Sequence, residues 1–255
     1  MHIRRRDPRR PASSARTAWI AALLSCLGSV PQSASAAPAP ARQSYSVTDF
    51  DTVRLEAPID VAITTGKGAS ATGTGDRDTL DALVLEMNSR ALVIRLRSST
   101  GIGSSMNRPR LPTRLVLTTA ALKRANVLGA GSLTADVIKD ARISAGLSGS
   151  GRLSIARVEA DRADITQFGS GSLAVAGTVL DLMASVSGSG RLEAQALDAR
   201  RTRVNSEGSA DIQISASEEA SVTASGSGRI VIAGKPACTV RKLGSATVNC
   251  GGADY

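Results

Sequence analysis

A glycine hinge that recurs every 18 to 20 residues is the feature that most constrains how this chain can fold. The hinge reads Gly-Ser-Gly or a close variant, and an apolar residue stands four positions after its first glycine. A unit this short cannot bury an apolar face by itself, so the repeats must stack on one another. The first glycines of the successive hinges are Gly129, Gly149, Gly169, Gly188, Gly208, Gly226 and Gly244.

Apolar residues lie at even distances from each hinge glycine. The position four residues after it is Leu, Ile or Val in every repeat, from Leu133 to Val248. Mostly apolar columns also lie six residues after the glycine, and four and six residues before it. Side chains alternate between the two faces of a strand, so these even positions share one interior. We therefore predict an all-β fold, a single-stranded parallel β-helix (β-solenoid) with 18–20-residue repeats hinged at Gly-Ser-Gly.

Each repeat is then two strand arms that meet at a hinge. The two hinge glycines are an even number of residues from the apolar positions, so we expect them to turn inward. The serine between them is an odd number of residues from those positions and should point outward. A stacked solenoid leaves open strand edges at its two ends. Cys238 and Cys250 occupy inward columns of the last repeat. In an oxidising compartment we predict a disulfide between them that closes this end, with two buried free thiols as the alternative.

In the N-terminal half, apolar and polar residues alternate as they do in strands, but the regular Gly-Ser-Gly hinge is missing. We expect a helical turn over residues 76–82 and an exposed loop over residues 98–110, which is rich in Ser, Gly, Asn, Arg and Pro. The predicted organisation is a signal peptide (1–36), a flexible lead-in (37–47), one β-solenoid domain (48–250) that is less regular in 48–128 and regular in 129–250, and a tail (251–255).

Several motifs in this order resemble a known bacterial family. They are Phe50-Asp51-x-Val53-x-Leu55, Ile59-Asp60-Val61-x-Ile63, the serial Ser-Gly-Ser-Gly hinges, Gly234-Lys235-Pro236, and Leu243-Gly244-Ser245-Ala246. Over roughly residues 47–250 the chain is similar to the auto-transporter adhesin head domain, also called the GIN domain. The resemblance implies an exported β-helical protein without catalytic residues. The chain departs from the family where alanine replaces the second hinge glycine, at Ala210 and Ala246, and where arginine stands in place of a frequent acid, at Arg152, Arg191 and Arg229.

The first 36 residues are typical of an export signal. Six arginines precede an apolar run from Thr17 to Val30, and Ala34-Ser35-Ala36 is a small-residue cleavage pattern. Leu23-Leu24-Ser25-Cys26 also resembles a lipobox, so lipidation of Cys26, as in an outer-membrane lipoprotein, is the alternative to cleavage near Ala36. Either way we expect a periplasmic or cell-surface protein with no transmembrane span in the mature chain.

Charge and composition exclude several function classes. Removing residues 1–36 takes Lys and Arg from 31 to 25 and Asp and Glu from 22 to 21, so the net charge falls from +9 to +4. This modest charge and the 2% aromatic content argue against nucleic-acid binding. His2, the single histidine, lies in the predicted signal, so Ser-His-Asp and Cys-His catalysis are excluded, and we expect no metal site and no cofactor.

Two sets of charged residues are candidates for function. Arg152, Arg191 and Arg229 share one outward column in alternate repeats, either as a stripe that binds an acidic polymer or as charges spaced for solubility. Paired carboxylates cleave glycans in some enzymes, but usually beside aromatic platforms, so we interpret the repeated acids as solvated turn residues. These acids are Asp140, Asp161, Asp181, Asp198 and Glu218.

We therefore predict an exported, non-catalytic, adhesin-like protein that binds a glycan, an envelope polymer or a surface protein. A structural envelope protein without its own ligand is the first alternative. A polysaccharide-active enzyme is the second. The sequence leaves the oligomeric state open.

Overall fold

Among the residues that the structure describes, twenty strands of one sheet wind into a solenoid in the computed structural model. The structure describes residues 40–97 and 111–255, which fall in one compact unit. The helix is α1 (Arg77–Ala82). The strands are β1 (Ala41–Tyr45), β2 (Thr52–Leu55), β3 (Asp60–Thr65), β4 (Ser70–Gly75), β5 (Leu83–Asn88), β6 (Ala91–Leu96), β7 (Arg114–Thr119), β8 (Arg124–Gly129), β9 (Ser132–Lys139), β10 (Arg142–Gly149), β11 (Arg152–Gly169), β12 (Ser172–Gly188), β13 (Arg191–Ala194), β14 (Leu197–Gly208), β15 (Asp211–Ala216), β16 (Glu219–Gly226), β17 (Arg229–Gly234), β18 (Ala237–Gly244), β19 (Thr247–Cys250) and β20 (Ala253–Asp254).

The regular coils stack in parallel with each hinge directly above the one before. Gly149 is in register with Gly129 on one side and with Gly169 on the other. Leu153 is likewise in register with Leu133 and Leu173, and all three side chains are fully buried. The predicted β-solenoid is therefore confirmed. We call the surface formed by the arms that precede a hinge the pre-hinge face, and the surface formed by the arms that follow it the post-hinge face.

The two glycines of a hinge serve different purposes. Gly149, a first glycine, has φ +119°, and a Cβ placed on it would lie 2.5 Å from the Gly129 carbonyl oxygen. A larger residue would therefore strain the backbone and collide with the preceding coil. The second glycine of each hinge is buried, whereas the first lies at the surface. The expected inward orientation is thus right for the second glycine and wrong for the first. The first glycine is needed for its backbone conformation and for close stacking on the preceding coil.

The N-terminal coils stack in a different order from the chain. Strand β2 pairs with both β6 and β8, and β3 pairs with both β7 and β9. The β2–β3 coil therefore lies between two coils that follow it in sequence. Helix α1, which the sequence predicts over residues 76–82, begins after Asp76, whose carboxylate accepts a hydrogen bond from the backbone N–H of Thr79.

Antiparallel strands cover the N-terminal end of the solenoid. Strand β5 pairs with β6, and β4 pairs with β7. Residues 41–45 of the predicted flexible lead-in instead form β1, which pairs with β4 from Ala41 opposite Gly75 to Tyr45 opposite Ala71. The lead-in prediction is wrong there, because this pairing satisfies backbone groups that β4 would otherwise leave open.

The C-terminal end is closed by the predicted disulfide. Cys238 and Cys250 are bonded, with their Cα atoms 6.3 Å apart, and join the two arms of the last coil. Part of the predicted tail also folds back, because β20 pairs antiparallel with β19. Strand β18 forms the pre-hinge edge of this end, and Leu243 on it is 62% exposed.

Candidate functional site

The three candidate arginines lie in one outward column of the post-hinge face. Strand register places Arg152, Arg191 and Arg229 in alternate coils, with Ser172 and Asp211 between them. Neighbouring arginines are therefore two strand spacings apart, about 10 Å. All three side chains are exposed. We call this set the arginine column.

The arginines of this column differ in their ion pairs. The Arg191 guanidinium Nε lies 3.6 Å from a carboxylate oxygen of Asp211 and 3.9 Å from one of Glu193. Among the residues that the structure describes, Arg152 and Arg229 have no ion-pair partner within 4 Å. The two outer arginines therefore keep their charge available for a ligand, whereas the charge of the central one is partly compensated.

The hinge serines form a second exposed row beside the arginine column. All six are exposed, as the sequence predicts, and the hydroxyl oxygens of Ser209 and Ser227 lie 3.0 Å apart. The row consists of Ser150, Ser170, Ser189, Ser209, Ser227 and Ser245.

The five candidate acids are distributed over two different surfaces. Asp140, Asp161 and Asp198 line an open groove of about 700 Å³ at the corners opposite the hinges, where Leu180 is 42% exposed. Asp181 lies instead on the pre-hinge face, where the Arg201 guanidinium donates two hydrogen bonds to it at 2.7 and 3.0 Å. Glu218 lies beside the same groove, where the groove-lining Arg200 donates a hydrogen bond from Nε to it at 2.8 Å, so only Asp181 is separated from the other acids.

Cations hold several of these carboxylates in their ionised form. A hydrogen bond from Lys123 lowers the pKa of Asp140, and a hydrogen bond from Arg201 lowers the pKa of Asp181. Glu159 also lines the groove, and a hydrogen bond from Lys139 lowers its pKa. A general acid requires the opposite shift, because it must hold its proton near neutral pH. These three carboxylates are therefore suited to charge pairing.

A cluster of cations on the pre-hinge face was not identified from the sequence. Arg162, Arg201 and Arg203 border a groove of about 380 Å³ together with Asp181 and Glu219. Arg162 donates a hydrogen bond from Nε to Asp164 at 3.2 Å, so much of this charge is compensated locally. The strand register that joins positions 162, 181 and 201 was the available signal, because 18–20-residue offsets relate them.

Other predicted features fall outside the described residues or concern metals and membranes. The signal peptide, Cys26 and the loop at 98–110 lie outside the described residues. Within residues 40–97 and 111–255, no three His, Cys, Asp or Glu side chains gather as a metal site requires. In the same part of the chain, no helix has the length and apolar character needed to cross a membrane.

Comparison with protein families gives one match over most of the chain. The family described as "Putative auto-transporter adhesin, head GIN domain" matches residues 49–236. The matched region includes the β2–β3 coil, the N-terminal cap strands β4 and β5, and all but the last of the regular coils. None of the curated proteins matches the chain.

Solved structures from Bacteroides and Parabacteroides species share the fold. A protein from Bacteroides fragilis described as a putative adhesin superposes with a TM-score of 0.73 at 18% identity, covering 83% of this chain and 97% of that one. A protein from Parabacteroides distasonis described as a putative lipid binding protein gives 0.66 at 24% identity, over 83% and 96% of the two chains. A further putative adhesin from Parabacteroides distasonis gives 0.63 at 18% identity, over 82% and 95%. At these identities the likeness concerns the fold.

Proposed function

The chain belongs to the putative auto-transporter adhesin, head GIN domain family, and on that premise we propose that it is an exported, non-catalytic protein that binds an acidic surface polymer through the arginine column. The observation that carries the proposal is the register of Arg152, Arg191 and Arg229 on one flat face. A linear polyanion that lies along the solenoid axis meets all three side chains.

The rigid spacing of this column favours a polymer over a small anion. Arg152 and Arg229 are four strand spacings apart, about 19 Å, and the intervening strands are hydrogen-bonded to one another. A single small anion reaches one guanidinium, whereas a chain with repeated carboxylates or sulfates reaches several at once. Such multivalent contact gives useful avidity from individually weak pairs.

Binding of immobilised polymers tests this proposal. We expect the purified protein to bind heparin and polygalacturonate saturably, to bind neutral dextran much less, and to bind more weakly at physiological than at low salt. Changing Arg152, Arg191 and Arg229 together to serine should weaken binding by about tenfold to a hundredfold, since each surface cation contributes about 1 kcal/mol near an anionic surface. Of the single changes, Arg191→Ser should have the smallest effect, because Asp211 and Glu193 already compensate its charge.

A matched variant separates this column from general charge. Arg142, Arg203 and Arg241 are exposed on the pre-hinge face, and changing all three to serine removes the same charge. The control variant should keep most of the affinity. Equal losses in both triple variants would remove the arginine column from the proposal. An absence of saturable binding to both polyanions at low salt would instead favour a structural envelope protein.

We also propose that the mature protein lies in the periplasm or on the cell surface. The family membership supports export, and residues 1–36 have the order of an export signal. Mass spectrometry of the native mature protein tests the processing. A free N-terminus at Ala37 is expected, and a lipid-modified N-terminal Cys26 would identify a membrane-anchored lipoprotein instead.

A further inference from the structure

Gly146 lies inside strand β10, where glycine is unfavourable because it has no side chain to pack and has more conformational freedom to lose. The strand glycines of the described residues each have a structural reason. Most have a positive φ, and Gly73 leaves room for Leu80 and Tyr45. Gly146 has no positive φ, but it leaves room for the Asn126 amide, whose oxygen stands too close to the Cβ position for a side chain at residue 146.

A glycine inside a strand often marks a close approach, and here the approaching group is the Asn126 amide. At Gly146 no backbone atom lies within 4 Å of the Cβ position outside the neighbouring residues. The stacking of the coils therefore does not require glycine at this position, whereas it does require glycine at the hinges. The missing side chain lets the Asn126 amide lie across Gly146 on the outer surface of the pre-hinge face, at the floor of a groove.

The space at Gly146 is a groove one strand wide. Gly146 is in register with Asn126 of β8 and Thr166 of β11, and Ser148 is in register with Leu128 and Phe168. The small residues of β10 form the floor, and the larger residues of β8 and β11 form the walls. The flanking strands are about 10 Å apart, and the groove has a volume of about 380 Å³.

The walls offer an apolar surface and an uncommitted amide. The Phe168 side chain is 53% exposed. Exposing a large apolar side chain to water is unfavourable, and Phe168 is larger than Leu128, the other apolar residue on this rim. The Asn126 side chain is half-buried and has no hydrogen-bond partner among the described residues, so one donor group and one acceptor oxygen are available. Arg54 borders the groove, but its Nε donates to the Glu56 carboxylate at 2.7 Å, so its charge is compensated.

We propose that the groove between Asn126, Gly146 and Phe168 binds one uncharged pyranose ring of a glycan. A sugar ring has an apolar face of C–H groups that packs against an aromatic ring, and hydroxyls at its edge that donate and accept hydrogen bonds. The Asn126 amide meets that edge from one wall, and the hydroxyls of Ser148 and Thr166 add further polar partners. The inference goes beyond the proposed function, because this site lies on the other face and takes a neutral ligand.

Two other ligand classes fit the groove less well. An acyl chain would cover the Asn126 amide without giving it a hydrogen-bond partner, and leaving a buried polar group unpaired is unfavourable. An anion would meet only a guanidinium that Glu56 already neutralises. A neutral sugar satisfies the amide and uses the Phe168 surface at the same time.

A variant that fills the groove tests the site. Gly146→Val places a branched side chain on the floor and displaces the Asn126 amide that the sugar would contact, and valine suits a strand position. Ser185→Val is the matched control, because Ser185 follows Thr166 in the same outward column one coil further on. Phe168→Ala removes the apolar wall without disturbing the interior. We would titrate each purified variant with cellobiose and with N,N′-diacetylchitobiose, and follow backbone amide shifts by NMR.

We expect at least one disaccharide to cause saturable shifts centred on residues 126, 146 and 168. Affinity should fall by about tenfold or more in Gly146→Val and Phe168→Ala, and should be unchanged in Ser185→Val and in the triple serine variant of the arginine column. That last variant separates failure of this site from failure of the proposed function.

Three results would overturn the inference. The first is the absence of saturable shifts with either disaccharide. The second is unchanged affinity in Phe168→Ala, which remains decisive if Gly146→Val fails to fold. The third is a response of the same residues to octanoate and not to the sugars, which would assign the groove to an acyl chain.

Discussion

The N-terminal and C-terminal ends of this solenoid solve the same problem by different means. At the N-terminal end, β4 and β5 cover the outer coil as antiparallel strands, β1 extends this cover, and Leu80 of α1 is buried beside it. At the C-terminal end, one disulfide and the two-residue strand β20 complete the last coil. The comparison shows that one disulfide and a short strand complete the regular coils at the C-terminal end, whereas the coils at the N-terminal end carry a separate cap of antiparallel strands.

The hinge glycines should show the largest effect, because the first hinge lacks the stacking contact that the later hinges make. Gly129 and Gly149 both have positive φ, but a Cβ at Gly129 meets nothing within 4 Å, whereas a Cβ at Gly149 meets the backbone of the preceding coil. We expect Gly149→Ala to lower the free energy of unfolding by about 4 kcal/mol and Gly129→Ala by about 1–2 kcal/mol, the cost of backbone strain alone. Urea titration followed by circular dichroism measures both. Equal losses would mean that the contact with the preceding coil adds nothing to the cost of backbone strain.

Loss of the disulfide should loosen the C-terminal end alone. The bond closes a loop with a sequence separation of 12 residues, for which chain entropy gives a stabilisation of about 3 kcal/mol. In the double variant Cys238→Ala and Cys250→Ala, we expect faster amide hydrogen exchange in β18 and β19 and unchanged exchange in β1 and β4. Faster exchange throughout the chain would show that the ends are coupled.

A cavity under α1 should loosen the N-terminal end alone. Leu80 is 1% exposed, and Leu80→Ala should cost about 2 kcal/mol, since the end of a solenoid can partly collapse around the cavity. Tyr45→Phe is a milder test of the same cap, because it removes only the hydrogen bond that the Tyr45 hydroxyl donates to the Leu80 carbonyl oxygen at 2.8 Å. The protection of β1 and β4 from amide hydrogen exchange should fall more in Leu80→Ala than in Tyr45→Phe. The protection of β18 should be unaffected in both variants. Exchange that changed first in β18 would contradict this division.

Lowering the pH should change the stability of the fold less than any of these substitutions. The loss of stability should be greater in the regular coils than in the N-terminal half. The pKa values of Asp140, Glu159 and Asp181 are lowered mainly by hydrogen bonds from Lys123, Lys139 and Arg201. A carboxyl whose pKa is lower in the folded state stabilises the fold above its ordinary pKa, and this stabilisation is lost as the pH falls through the lowered value.

In the N-terminal half, desolvation acts to raise the pKa of Asp51, but the hydrogen bonds from Thr52 and Arg90 outweigh it, so this pKa is also lowered. We expect the melting temperature to be flat from about pH 8 to pH 5 and to decrease below about pH 4. The decrease should be small, because exposed ion pairs are weak and are screened by salt. A greater loss of exchange protection near Asp51 than near Asp181 would contradict the assignment.

The repeats were predictable because a period of two residues within an interval of 18–20 residues admits few folds. The inward position two residues before most of the hinge glycines was missed, because Gln167 and Ser206 are polar although both are buried there. The Gln167 amide donates to the Gly171 carbonyl oxygen at 2.7 Å, a contact that only the folded hinge provides. The position of the β2–β3 coil was also missed, since pairing between distant strands determines it.

The candidate surfaces were predictable to different degrees. The register of the arginine column follows directly from the repeat, whereas the pairing of Arg191 with Asp211 depends on side-chain conformation. Phe168 stands one residue before the hinge Gly169, an odd position that points outward, so its exposure follows from the repeat as well. The groove at Gly146 additionally needed the knowledge that no neighbouring backbone requires a glycine there.

The position of the β2–β3 coil has a consequence for how the protein is made. An exported chain emerges from the membrane with β2 and β3 before either of the coils that flank them, so both strands lack partners until β6, β7, β8 and β9 have followed. The first three coils must therefore assemble together, after residues up to about Ala135 have emerged. Every later coil can then add in order to a paired edge, so we expect the slowest folding step to involve the first half of the chain.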